Sequence, residues 1–80
     1  MKTVKVSETV YWKYFGTEYK LYTEDMRVMK EFRDLSRIRK GATYMNERGI
    51  IIARDYIFPA DRFAWVQERL KPIIGKIKHL

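Results

Sequence analysis

The sequence predicts an α+β domain of order ββαββα: a four-stranded antiparallel sheet with two helices on one face and a short C-terminal amphipathic extension. Three observations point there. Two pairs of alternating, aromatic and β-branched segments each flank a glycine-containing turn. Each pair is followed by a stretch with helical apolar spacing. Gly and Pro are few and fall where these segments should end.

The first hairpin is the plainest element. Val10 to Phe15 and Glu18 to Thr23 flank Gly16-Thr17, and glycine at the first central position suits a two-residue type II′ turn. That turn pairs Phe15 with Glu18, Lys13 with Lys20, Trp12 with Leu21 and Tyr11 with Tyr22. Side chains alternate across a strand, so Val10, Trp12, Tyr14, Tyr19 and Leu21 share one face. Tyr11, Lys13, Phe15, Lys20 and Tyr22 share the other. Upstream, Thr3 to Ser7 alternates too and extends the strand past a bulge at Ser7-Glu8.

The first helix is expected to begin near Thr23 as N-cap, with Glu24 and Asp25 in a first turn whose dipole favours acids. Val28, Met29, Phe32 and Leu35 form one buried stripe, and Arg27, Lys30, Glu31, Arg33, Asp34 and Arg37 lie away from it. The helix should stop near Ser36, with Gly41 closing the exit. Ala42 to Met45 and Ile50 to Phe58 then enclose Asn46-Glu47-Arg48-Gly49, where Gly49 fits the left-handed position of a type I turn with a G1 bulge. Ile50-Ile51-Ile52-Ala53 is apolar on both faces and is therefore placed centrally in the sheet.

Pro59 suits the first position of the second helix, with Asp61 in its first turn. Phe63, Val66 and Leu70 make its apolar stripe. Trp65 lies roughly 200° round the helix from Phe63 and points elsewhere. Pro72 is expected to break or kink the helix. Beyond it Ile73, Ile74, Ile77 and Leu80 form a further stripe against Lys71, Lys76 and Lys78, read first as core closure and otherwise as a dimer contact or a stripe that lies on an acidic surface.

Residues 1–80 read as a single small basic domain. Leu, Ile, Val and Phe supply 21 of the 80 residues, which is enough for a thin core and above the ~20% below which charged chains stay disordered. The longest apolar run, Ile50 to Ala53, is far short of the ~20 residues that span a bilayer. The first ten residues carry no apolar export segment. The chain is expected to be cytoplasmic, without a membrane partner.

Catalysis has few residues to stand on. There is no cysteine, so no thiolate nucleophile or thiolate metal site, and the single histidine, His79, is penultimate and read as a solvated tail residue. The glycines are too scattered for a phosphate-cradling loop. Asp55 and Asp61 are the carboxylates a Mg²⁺-dependent nuclease would use, but Arg54 and Arg62 beside them offer plain ion pairing. No enzyme activity, metal site or cofactor is expected, and the nuclease stands as the third reading.

Binding is better supported. Seventeen basic against ten acidic side chains leave a net charge of +7, a field that speeds encounters with polyanions. With Trp12 and Leu21 facing the helices, Tyr11, Lys13, Phe15, Lys20 and Tyr22 form an outward face of rings and ammonium groups. Those are the ingredients of single-strand binding, where base stacking on aromatics is worth ~1–3 kcal/mol per base. Lys13 opposite Lys20 is a like-charge pair that a bound anion would relieve. Arg33, Arg37, Arg39 and Lys40 run off the end of the first helix; Arg37, Arg39 and Lys40 exceed what one helix dipole needs, and with Arg27 and Lys30 they would form a phosphate-contacting edge. The expected function is DNA or RNA binding through backbone and stacking contacts. The alternative is a small protein-interaction module or inhibitor of viral or mobile-element origin, and a homodimer is compatible with both.

Overall fold

The computed structural model describes residues 8–33, 35 and 37–80. The alternation over residues 3–7 with its bulge, Asp34, and the expected helix stop at Ser36 lie outside them. The chain runs β1 (Thr9–Lys13), β2 (Glu18–Thr23), α1 (Met26–Phe32), β3 (Arg39–Met45), β4 (Ile51–Pro59), a 3-10 turn (Ala60–Arg62), α2 (Phe63–Ile74) and β5 (Lys78–His79). The strands form one sheet in the order β3-β4-β2-β1-β5. The fold is α+β with two helices, but the sheet has five strands rather than four. It is mixed rather than antiparallel, because β5 runs parallel to β1.

Gly16 makes the first turn at φ 47°, the left-handed region a type II′ turn requires at that position. The strands around it are nevertheless one residue out of the expected register. The N–H of Glu18 bonds to the Phe15 carbonyl at 2.7 Å, while the N–H of Tyr14 bonds to the Glu18 carbonyl at 2.9 Å. Tyr14 and Phe15 thus share Glu18 as partner, which is a bulge. Beyond it Lys13 pairs with Tyr19, Trp12 with Lys20, Tyr11 with Leu21 and Val10 with Tyr22. A one-residue slip moves every side chain of one strand to the other face relative to its neighbour. Tyr11 therefore joins Leu21 on the helix side, and Trp12 joins Lys20 on the open side.

The core lies between the sheet and both helices. Leu21, Tyr56 and Phe58 meet Val28, Met29 and Phe32 of α1, Val66 and Leu70 of α2, and Ile77. Each large apolar side chain taken from water contributes ~1.5–3 kcal/mol. Leu35 and Phe63 pack at its margin, in keeping with their stripes.

Helix α1 starts later than expected, because Thr23 is still in β2, paired with Thr9 and Arg54. The cap is Asp25, whose Oδ1 accepts from the Arg27 N–H at 2.8 Å. Thr23 Oγ1 accepts in turn from the Asp25 N–H at 3.0 Å. The Arg27 guanidinium also grips the Asp25 carboxylate and holds it below the usual carboxylate range.

The second hairpin closes as expected: Gly49 has φ 78°, its N–H bonds to the Asn46 carbonyl, and the Asn46 N–H bonds to that of Ile50. Gly41, however, is no helix exit. It lies within β3, where a Cβ would come 3.0 Å from Cβ of Asp55, beside a register shift between Lys40 and Thr43. Nor is the Ile50–Ile52 run central. β2 pairs with β4 only from Arg54 to Pro59, so the start of β4 projects past its neighbour, and Ile50 and Ile52 are at least half exposed.

Pro72 does not break α2. It sits in the last turn, where only one helical hydrogen bond is forfeited, and the helix runs on to Ile74. Gly75 ends it at φ 73°. The Gln67 side chain then bridges the Gly75 carbonyl and the Ile77 N–H. That turns the tail back so that Ile77 is buried and Lys78 and His79 pair with Val10 and Tyr11. Among the described residues, no helix is long and apolar enough to cross a membrane.

Candidate functional site

The sheet face turned away from the helices is ordered by the strand registers into rows. Trp12 of β1 stands beside Lys20 of β2, Lys20 beside Ile57 of β4, and Ile57 beside Arg39 of β3. One row therefore alternates ring, cation, aliphatic side chain and cation. The next row is Val10, Tyr22 and Asp55. Tyr44 follows on β3, opposite Ala53.

Asp55 organises this face. Its side chain is 3% exposed, yet it sits 3.6 Å from the Lys20 ammonium. Its Oδ2 accepts the Tyr44 hydroxyl at 3.0 Å. Its Oδ1 is buried without a hydrogen-bond partner. An unmet buried acceptor costs ~1–3 kcal/mol, so the two contacts to the other oxygen carry the balance. The Asp55 contact raises the Tyr44 phenol above its ordinary pKa. Tyr22, edge-on to Tyr44 at 5.7 Å, donates to Glu24. Partial burial, followed by that acidic partner, pushes the Tyr22 phenol up to about 12.

Aromatic and cationic groups also meet at the first turn. The Lys20 ammonium lies 4.6 Å from the centre of the Tyr14 ring, and Phe15 packs edge-on to Tyr14 at 4.8 Å while remaining 69% exposed. Glu18 in this region is paired with Arg39.

The nine residues expected to bind nucleic acid are thus divided. Lys20, Tyr22 and Arg39 share the open face, with Phe15 at its turn. Tyr11 is withdrawn to the helix side, 4.5 Å from Phe63 and edge-on to His79 at 4.7 Å. Lys13 is exposed, but on the helix-side row next to Tyr19. The expected Lys13–Lys20 repulsion therefore does not exist: the bulge gives Lys20 a tryptophan across β1, and the β2–β4 register brings it the Asp55 carboxylate. Lys40 belongs to the helix-side row of β3, opposite Tyr56. Arg33 and Arg37 are exposed between α1 and β3, Arg37 with φ 69°.

Trp12, Tyr14, Tyr44 and Asp55 are the members that sequence reasoning did not place on this face. Only the parity change at the bulge would have found the first two. Asp61 stands at the 3-10 turn, away from the Asp55 cluster, and no group of three or more His, Asp or Glu able to hold a metal occurs among the described residues.

A second aromatic–cation cluster lies on the outer side of α2. Trp65, 37% exposed, has the guanidinium groups of Arg62 and Arg69 at 5.9 and 5.5 Å from its ring centre. Arg69 also bonds Glu31 of α1 at 2.7 Å, so this cluster fastens the two helices together.

Comparison with protein-family models, with curated proteins and with solved structures finds no match to this chain.

Proposed function

We propose that the protein is a binding module for single-stranded nucleic acid, which it takes on the open face of the sheet through stacking and phosphate contacts. The observation that carries this reading is the row Trp12–Lys20–Ile57–Arg39, extended by Tyr14 and Phe15. Flat rings and cations stand side by side on the face turned away from α1 and α2, in a chain of net charge +7. Single strands are held by rings that stack bases and cations that neutralise phosphates. Lys20 and Arg39 already have carboxylate partners, so a phosphate would share these two cations with Asp55 and Glu18, while Lys13, Arg37 and Lys40, which stand off this face, add to the general positive field. The one guanidinium in the row, that of Arg39, is engaged by Glu18, so little sequence preference is expected.

Titration of fluorescent single- and double-stranded oligonucleotides at several salt concentrations tests the reading. Log K should fall linearly with log salt, by roughly 0.7 per phosphate contacted on a single strand. Trp12→Ala with Phe15→Ala should weaken single strands most, whereas Arg37→Ala with Lys40→Ala should weaken all ligands alike. No binding at low salt would refute it.

A protein-interaction reading has one specific observation in its favour: Tyr44, Met45, Ile50 and Ile52 are exposed at the projecting end of the second hairpin, and Met26 at the start of α1 lines a depression with Tyr44 and Ile52. An aliphatic patch of this kind marks protein contacts rather than phosphate contacts.

A further inference from the structure

We infer that the depression between Tyr22, Glu24, Met26 and Tyr44 is a binding site for a quaternary ammonium cation, held by the two tyrosine rings and the Glu24 carboxylate.

The depression measures about 480 Å³ and lies where the end of β2 and the start of α1 meet the projecting part of the second hairpin. That size is within the ~300–1,000 Å³ of small-molecule sites. Two of its walls are aromatic. Tyr22 and Tyr44 stand with ring centres 5.7 Å apart and planes at 69°, so the pair forms a corner rather than a flat stack. Such rings attract a cation through the negative potential of their faces, and quaternary ammonium groups are the ligands that aromatic corners characteristically take. Met26, Ile51 and Ile52 complete the lining with apolar groups. These suit the methyl groups of such a cation and offer nothing to an N–H donor.

The charges select the same ligand. The chain carries 17 basic side chains, yet none of the described residues lining this depression is basic and one, Glu24, is acidic. Lys20 reaches Asp55, but its ammonium group lies over Tyr14 and does not line the depression. Glu24 is half-buried. One of its carboxylate oxygens accepts the Glu8 N–H at 3.1 Å and the other the Tyr22 hydroxyl at 2.9 Å. Tyr44 donates its own hydroxyl to Asp55 at 3.0 Å. Each phenol is thus polarised by a carboxylate, which pushes electron density into the ring and deepens the potential that a cation meets. With both Glu24 oxygens already accepting, that carboxylate contributes charge more than hydrogen-bond sites. A primary ammonium group would surrender its water for few new hydrogen bonds, whereas a quaternary one has no N–H to satisfy. The inference rests on neither reading of the protein's function.

Three ligands test it when titrated separately at constant ionic strength and followed by NMR chemical shifts: choline, its neutral carbon isostere 3,3-dimethyl-1-butanol, and the primary amine ethanolamine. Choline should shift the Tyr22, Met26, Tyr44 and Ile52 signals and bind ~10-fold or more tightly than either comparator. Tyr44→Phe and Tyr44→Leu both lose the hydrogen bond to Asp55, so the difference between them reads the ring alone. The first should keep the greater part of the choline affinity and the second should lose ~10-fold. Glu24→Gln, which keeps an acceptor for Tyr22, should weaken choline and leave the isostere unchanged. A short peptide carrying trimethyllysine presents the same headgroup, and the tighter of peptide and choline identifies the source as a modified side chain or a free small molecule. The comparison of ligands on the parent protein holds whether or not the variants fold. No shift at these residues up to about 50 mM choline, equal affinity for choline and its neutral isostere, or equal affinity of the two folded Tyr44 variants would each overturn the inference. Oligonucleotide binding that persists in that case leaves the proposed function standing.

Discussion

The ring of Tyr11 rests 4.5 Å from that of Phe63, on the side of the sheet that α2 covers. Its neighbour Trp12 faces the opposite way, and this decides what each residue is for. Tyr11→Ala should cost ~2–4 kcal/mol of stability, somewhat less than the ~3–5 kcal/mol of emptying a fully buried aromatic site because Tyr11 is only partly buried, and should leave oligonucleotide affinity per folded molecule unchanged. Trp12→Ala should cost less stability and more affinity. Urea unfolding combined with the salt titration separates the two, and a Tyr11→Ala protein as stable as the parent would contradict the packing.

Lys20 and Asp55 should behave as a coupled pair. Removing either partner leaves the other's charge poorly compensated in a place where the carboxylate is 3% exposed. Lys20→Met and Asp55→Ala should each destabilise by ~1–3 kcal/mol, with the larger loss for Lys20→Met, because the charge it leaves behind is the buried carboxylate rather than the partly solvated ammonium group. The double variant should lose less than the sum, and denaturant midpoints read through a double-mutant cycle give the difference. Strict additivity would mean that the 3.6 Å contact contributes nothing.

Gly41 is required for closeness rather than for an unusual φ. A Cβ there would press on Cβ of Asp55 at 3.0 Å, so Gly41→Ala must push β3 from β4 or displace the carboxylate. A loss of ~1–3 kcal/mol is expected, as for other overpacked sites. Hydrogen exchange should show the β3 amides opening first. Unaltered protection would place β3 further from β4 than its register implies.

Asp25 ties stability to acid pH. Its folded-state pKa lies below the ordinary 3.8, chiefly through the Arg27 side-chain hydrogen bond. The unfolded chain therefore binds more protons than the folded one across that window, and stability rises with pH through it. The contribution is complete above the ordinary aspartate value and is lost as pH falls through the depressed one. Asp25→Ala should lose ~1 kcal/mol near neutrality, the usual worth of an N-cap, and should flatten the acid limb of the stability curve. Thermal midpoints at pH 2 to 7 would show it, and an unchanged acid limb would assign that titration to another carboxylate.

Much of the fold was legible in local sequence. The Asn46–Gly49 turn, the Val28-Met29-Phe32 and Phe63-Val66-Leu70 stripes and the outward Trp65 all depend on residues within one turn or one helix, where dihedral preference and period 3.6 decide alone. Pro72 misled because its effect depends on where in the helix it falls. The Ile50–Ile52 run misled because two apolar faces mean burial only if strands flank both sides, and β2 stops short of it.

What the sequence determined by itself was the charge of +7, the α+β class with two helices, the Gly16 turn and the rings and lysines of the first hairpin. Which rings stand beside which lysines was decided only in the assembled sheet. The bulge at Tyr14-Phe15 depends on how β1 must lie to pair with β2 and carry β5, and strand parity turns that one residue into an exchange of faces. It sends Tyr11 to the core margin and brings Trp12 out beside Lys20. Both rest on contacts between strands and helices apart in the chain, which local propensity does not encode.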